Sequence, residues 1–396
     1  MIKSPSIQRL FVGLFFSAFS SWLVALDNES LKYSSETSKP ITSKPITSSA
    51  IKSSPKKVSI KAAYIPLADH YAGIIAFEKY RDQMKYADYT IARMKSWPLL
   101  RGYFLDGLSD MAFVMSPLAM DMYSRSPTFK WVSQMHRDGN ALAINDLLNK
   151  HVNLPSKRID RRPNSKVAEA YSIVKREMGR PSQVGVPSLL ATHMVVLYKY
   201  LKDNGKTLGI GTGYSEDVIA IAVPPPKAPV FIKKQNSKGI AASFEQSLPW
   251  ADVVETQNFG HVAWYSKHVL KWPKGHVECI ALASNDAIAN KREAVREVIY
   301  FIHKAGLDIE EARESGGDAL LAIAAMVRKH IPEHNEQAII QSLRKDLDVI
   351  SYRNLNVEKP GLKMIMDLAV EGKILREAID IENFTDSTFS TTITAD

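Results

Sequence analysis

Two points in the chain put a hydroxyl where a short apolar run gives way to a helix-forming segment: Ser116-Pro117 after DMAFVM, and Ser188 after QVGVP. A helix starting at such a junction presents unpaired backbone N–H groups and the positive end of its dipole to whatever lies beyond the strand, which suits an anion. Ser116 is placed as cap and Pro117 as first-turn residue; either serine also has the simpler role of capping its own helix. Thr192 and His193 follow the second junction in LLATHMVVL, and His193 can reach back toward the same helix start. The expected ligand contacts here are Ser116, Pro117, Ser188, Thr192 and His193.

Other chemistries find less support. His70, His261 and His276 lie near loop or strand ends, but no pair has the spacing of an HExxH site or a CxxC partner, so no metal and no cofactor is expected. The only cysteine, Cys279, falls inside the apolar run VECIALAS, where packing is expected. There is no GxSxG elbow, and GIGTGYSE (209–216) lacks a Walker lysine, so no enzyme activity is expected. The formal charge of +9 is spread along the chain instead of being gathered into a basic tract with interleaved aromatics, which argues against nucleic-acid binding. A diffuse positive field suits small anions or an anionic membrane surface.

The elements that must position these groups alternate. VSIKAAYIP (58–66) predicts a strand, and His70 to Tyr80 the helix after it; strands follow at 110–115, 183–187, 217–226 and 239–245. A strand-helix-strand-helix order predicts an α/β fold with helices on both faces of its sheets, and the two similar junctions suggest two lobes. The stretch 150–180, with Lys157, Arg158, Arg161 and Arg162, reads as a solvated excursion carrying one helix near 166–178. After Ala287 helical periodicity dominates, as expected of helices that brace a sheet. At the other end, Lys3 and Arg9 precede the apolar run Leu10–Leu26, which predicts an export signal over 1–25, with an uncleaved anchor as the alternative. Residues 26–56, rich in Ser, Thr, Lys and Pro with SKPIT twice, read as a flexible spacer.

Several ordered motifs together resemble the solute-binding proteins of nitrate, bicarbonate and alkanesulfonate ABC transporters, a family that also includes binders of thiamine-pyrimidine precursors. They are KAAYIPLADHYAGIIAFEK, KSWPLLRGYFLDGLSDMAFVMSPLAM, VPSLLATHMVVLYKYLKDNG, IAVPPP, SLPWAD and, more weakly, WPKGHVECIAL, and they span about residues 57–305. The resemblance implies a type II periplasmic binding protein of the Venus-flytrap kind: two α/β lobes, joined by two crossing segments, closing on a ligand. Lobe 1 would comprise 57–149 and 256–396, and lobe 2 150–255. It further implies a monomer in the periplasm that captures a small, anionic or sulfonate-like molecule and delivers it to an ABC permease. A sensing module with the same fold and a pyrimidine binder are the alternatives.

Carried over residue by residue, the family's anion contacts fall on Trp97, Gln134 and His193. Trp97 has an equally good role as a core anchor. Where nitrate members have a lysine after a His-Pro-Glu run, this chain reads His276-Val277-Glu278-Cys279, and the family's Glu-Pro-Trp is Leu248-Pro249-Trp250. Glu245 stands as the displaced acid and Lys274 as the replacement positive charge, which completes the set of expected ligand residues.

Overall fold

The computed structural model describes residues 56–211 and 213–393; the expected export signal and nearly all of the spacer lie outside them. Four strands open the chain, β1 (Val58–Tyr64), β2 (Ala87–Arg93), β3 (Met111–Met115) and β4 (Phe129–Gln134). A two-residue strand, β5 (Arg137–Asp138), precedes β6 (Asn140–Ile144), β7 (Ser182–Val186), β8 (Leu208–Ile210), β9 (Val218–Ala222), β10 (Ala242–Ser247) and β11 (His261–Tyr265). The chain then returns through β12 (Cys279–Ser284) and ends with helices and the short β13 (Ile350–Ser351).

These strands form two large sheets, β2-β1-β3-β12-β4 and β11-β6-β10-β7-β9-β8, and a two-stranded one, β13-β5. In the first, β1 pairs in parallel with β2 and β3, while the returning β12 is antiparallel to both β3 and β4. In the second, β7, β8, β9 and β10 are mutually parallel, and β6 and β11 add antiparallel pairs at one side. Helices cover both sheets, so the parallel strands read as unbroken apolar runs: every residue of MAFVM in β3 is buried. The predicted α/β class with two lobes is the observed one.

Strand pairing places the exchange between lobes elsewhere than the expected 149/150 and 255/256. β6 and β11 belong to the second sheet, so the chain crosses at 135–139 and again at 266–278. The crossings are tied together. Asp138 N–H donates to His276 O (3.1 Å), His276 N–H donates to Asp138 Oδ1 (2.9 Å), and β13 pairs with β5 from outside. Asp138 and Gly139 both have positive φ (58° and 93°), which turns the first crossing sharply; a Cβ on Gly139 would come within 3.0 Å of His136 Nδ1.

The expected helix near 166–178 is observed at Ser165–Met178, and Lys157 and Arg162 are exposed, but Arg158 and Arg161 are not solvated. Arg158 is buried and bonds Asp252, with its Nε 3.2 Å from Glu255, and Arg161 forks onto both Glu255 oxygens (2.8 and 3.0 Å). The planar guanidinium supplies enough donors to satisfy carboxylates inside a lobe, which sequence counting of charges does not reveal. Among the described residues no helix is long and apolar enough to cross a membrane. Removing one partner of a buried ion pair typically costs about 3–5 kcal/mol. Arg158→Met is therefore expected to lower the urea midpoint strongly, and Arg158→Met with Asp252→Leu to lower it less, because no unpaired charge remains.

Candidate functional site

Where the two lobes and both crossings meet, a set of polar side chains is sealed from solvent. Asp69 comes from the turn after β1, His136 from the first crossing, Asn140 from β6, Glu245 and Ser247 from β10, His193 from the helix Thr192–Asp203, and Glu278 and Cys279 from the end of the second crossing. All eight are fully buried. Ser247 Oγ donates to Asp69 Oδ2 (2.7 Å), so the His193 Nε2 hydrogen reaches Ser247 (3.0 Å) and leaves Nδ1 as an acceptor 3.3 Å from Glu278 Oε1. Asn140 Nδ2 donates to that same Glu278 oxygen (3.1 Å). His136 Nε2 sits between the acids, 3.6 Å from Asp69 Oδ2 and 3.8 Å from Glu278 Oε2. Cys279 Sγ lies 3.4 Å from Asp69 Oδ2.

Removal from water decides the charge state of each group. Burial alone would raise the Asp69 carboxyl, but the charge and hydrogen bond of His136, aided by His70 and His193, bring it down to about 2. Burial opposes a charge on His136, yet Asp69 and then Glu278 raise its pKa above the ordinary histidine value. Burial and the Asp69 charge push Glu278 up to about 7. Burial, with Glu278 and Asp69 adding to it, holds Glu245 well above the carboxylate range, and the Cys279 thiol is raised by the same causes. Burial takes His193 down to about 3. Asp69 is thus held toward its carboxylate and His136 toward its charged form, while Glu245, Cys279 and His193 are held toward their neutral forms.

Asp69 Oδ1, Glu278 Oε2, Asn140 Oδ1, both oxygens of Glu245 and the Nδ1 atoms of His136 and His193 are buried with no hydrogen-bond partner. Among the described residues no lysine or arginine pairs with Asp69, Glu245 or Glu278. Buried polar atoms without partners are costly, and here they are concentrated where the two lobes meet.

The residues singled out from sequence divide. Ser116 and Thr192 meet across the cleft, Oγ to Oγ1 at 3.4 Å, so the two junctions face each other. Pro117 is buried in the first turn of the helix Ser116–Arg125. His193 and Glu245 are in the cluster. Ser188 is not a helix start: the helix begins at Thr192 with Ala191 as its cap, and Ser188 Oγ instead accepts from Leu190 N–H (3.2 Å). Gln134 points away and donates to Asn356 O (2.9 Å). Lys274 is exposed on a surface pocket of about 760 Å³ shared with Lys267, Lys271 and Arg353, so it supplies no charge to the cluster. Trp97 is buried edge-on to His70, its ring 6.2 Å away and its Nε1 without a partner. Cys279, expected merely to pack, lies against Asp69. Asp69, His136, Asn140, Ser247 and Glu278 were not singled out as ligand residues; of these only Glu278 left a trace, as the acid standing in the family's His-Pro-Glu-Lys region.

The family model described as NMT1-like matches residues 53–316, well over half of the chain. The chain belongs to the NMT1-like family. A comparison with curated protein sequences finds no significant match. Among solved structures, the periplasmic nitrate-binding protein NrtA from Synechocystis PCC 6803 superposes with a TM-score of 0.68 at 14% identity, over 85% of this chain and 88% of that one. A ligand-binding component of an ABC-type import system from Staphylococcus aureus, with zinc bound, gives 0.63 at 16% identity, over 84% and 98%. The aliphatic sulphonate binding protein SsuA from Escherichia coli gives 0.58 at 11% identity, over 85% and 94%. At such identities the likeness is one of fold: this NMT1-like chain has the periplasmic-binding-protein architecture.

The Glu245 carboxyl gives the site a pH signature. A carboxyl whose pKa is raised on folding keeps a proton that the unfolded chain loses, so it destabilises the fold progressively as pH rises above its unfolded value of about 4.5. Relative to the wild type, Glu245→Gln is expected to become steadily more stable between about pH 5 and pH 8, by about 1.4 kcal/mol per pH unit while the buried acid stays protonated. Urea unfolding of both chains across that range checks it; a constant difference would mean that Glu245 is ionised in the cleft.

Proposed function

We propose that this chain is the extracytoplasmic solute-binding component of an ABC importer, holding a small ligand between its lobes without chemistry and passing it to a permease. The observation that carries this reading is the sealed polar cluster. Both lobes and both crossings contribute to it, so opening the hinge exposes it and closing buries it, as capture and release require. Family membership and the fold shared with nitrate-, sulphonate- and import-system binding proteins support the same reading, and the N-terminal export segment expected from sequence agrees with it. The chain would act as a monomer.

For the ligand itself, the sequence-level expectation of an anion rests on helix starts at Ser116 and Ser188 and on His193; in the structure the second start is at Thr192, which faces Ser116. The charge lining the cleft favours a different partner. An anion enclosed here would face Asp69 with the orphaned oxygens of Glu245 and Glu278, whereas a solute presenting donors or positive charge would meet each of them. We therefore assign a small, donor-rich or cationic ligand.

Thermal unfolding with a panel separates the possibilities. It would include nitrate, bicarbonate, taurine and an alkanesulfonate, then an alkylammonium, a guanidinium and an aminopyrimidine, then divalent metal ions. One ligand per chain is expected, with stabilisation of about 3–4 kcal/mol at 100 to 1,000 times its Kd, from a member of the last two groups. Stabilisation by anions alone would overturn the ligand assignment and keep the solute-binding role. No response from any member would overturn both.

A further inference from the structure

Four atoms in the cleft already stand as the ligands of a metal ion would. Asp69, His136, Glu278 and Cys279 each offer one ligand atom, and these all lie within 4.8 Å of one another. Tetrahedral zinc, with bonds of about 2.0–2.3 Å to N, O and S, separates its ligand atoms by about 3.3–3.8 Å. The separations here are 3.4 Å for Asp69 Oδ2 to Cys279 Sγ, 3.6 Å for Asp69 Oδ2 to His136 Nε2 and 3.8 Å for His136 Nε2 to Glu278 Oε2. The other three pairs lie within 4.8 Å, so the set must draw in around an ion along those directions.

We propose that these four residues bind one divalent transition-metal ion of the zinc class, and that this ion is the solute the protein captures. The inference rests on the solute-binding reading above and names its ligand. An independent feature points the same way: Asp69 Oδ1 and Glu278 Oε2 belong to fully buried side chains and have no hydrogen-bond partner, as have the Glu245 oxygens beside them. One imidazole nitrogen and one sulfur among the ligands favour zinc or a similar borderline ion over calcium or magnesium, which take oxygen ligands. On binding, the Cys279 S–H bond and the bonds holding protons on His136 Nε2 and the Glu278 carboxyl break, those protons leave to solvent, and S–, N– and O–metal bonds form.

The ligands' places in the fold suit capture. All four come from the first lobe's edge and the crossings, so the site exists before the second lobe closes. That lobe then supplies the outer contacts: Ser247 donates to Asp69 (2.7 Å) and Asn140 to Glu278 (3.1 Å), fixing both carboxylates.

The test uses the full chain, freed of metal by chelation, with Zn²⁺ and Co²⁺ as probes. Equimolar Zn²⁺ is expected to raise the unfolding temperature while Ca²⁺ and Mg²⁺ leave it unchanged. Co²⁺ is expected to produce the intense visible bands of a tetrahedral site and a near-ultraviolet thiolate charge-transfer band. Cys279→Ser should remove the charge-transfer band, and Asp69→Asn should weaken binding by about 100-fold or more; unfolding temperatures without metal establish that each variant folds. Zinc stabilisation that survives both substitutions, with no thiolate band, would overturn the proposal in favour of surface His–acid pairs such as His261–Asp146. No zinc effect beside a clear shift with an organic cation would overturn it and leave the solute-binding role standing. No shift with any probe would overturn both.

Discussion

Asp69 is a carboxylate with no access to water, and much of the cleft is arranged around that fact. An isolated buried charge is prohibitively costly, so it must be met by an opposite charge and by donors. His136 supplies the charge and Ser247 a donor, and these come from a crossing and from the opposite lobe. The hydrogen bond to Ser247 therefore links the closed state of the molecule to the ionisation of a single residue. Burial and the same negative charge raise the carboxyls of Glu245 and Glu278.

The hinge turns this local balance into a device. Its two crossings are hydrogen-bonded to each other through Asp138 and His276 and gripped from outside by β13. Lobe motion must then be concentrated in a few residues, with Asp138 and Gly139 in left-handed backbone at the bend. His136 and Glu278 lie within or at the ends of those crossings, so the cluster and the hinge share residues. If this cluster holds the ligand, contact and lobe angle are coupled for that reason, without any long path between them.

Much of the architecture was legible in the sequence because it depends on local patterns. The strand patterns at 110–115, 183–187, 217–226 and 239–245 became β3, β7, β9 and β10, the Asn204-Gly205 pair ended its helix, and the helix-period segments after Ala287 formed helices. The second helix start fell four residues later than expected, at Thr192 instead of Ser188, but it faces Ser116. What failed depended on partners distant in the chain. Arg158 and Arg161 looked solvated because Asp252 and Glu255 lie about ninety residues away. Cys279 looked inert because Asp69 is 210 residues away, and Lys274 looked close to the ligand only because it is close to Glu278 in sequence. The lobe exchange was displaced because β6 and β11 are antiparallel returns that single-strand patterning does not assign to a sheet.

The position of the chain's single cysteine has a practical corollary. Cys279 is fully buried while the lobes are together, and no second thiol exists to confuse a measurement. Its rate of alkylation should follow the fraction of time the cleft spends ajar, much as amide exchange follows local opening. The protein in effect carries a chemical clock at its own threshold, able to time the gate without a label, a tag or a second engineered site.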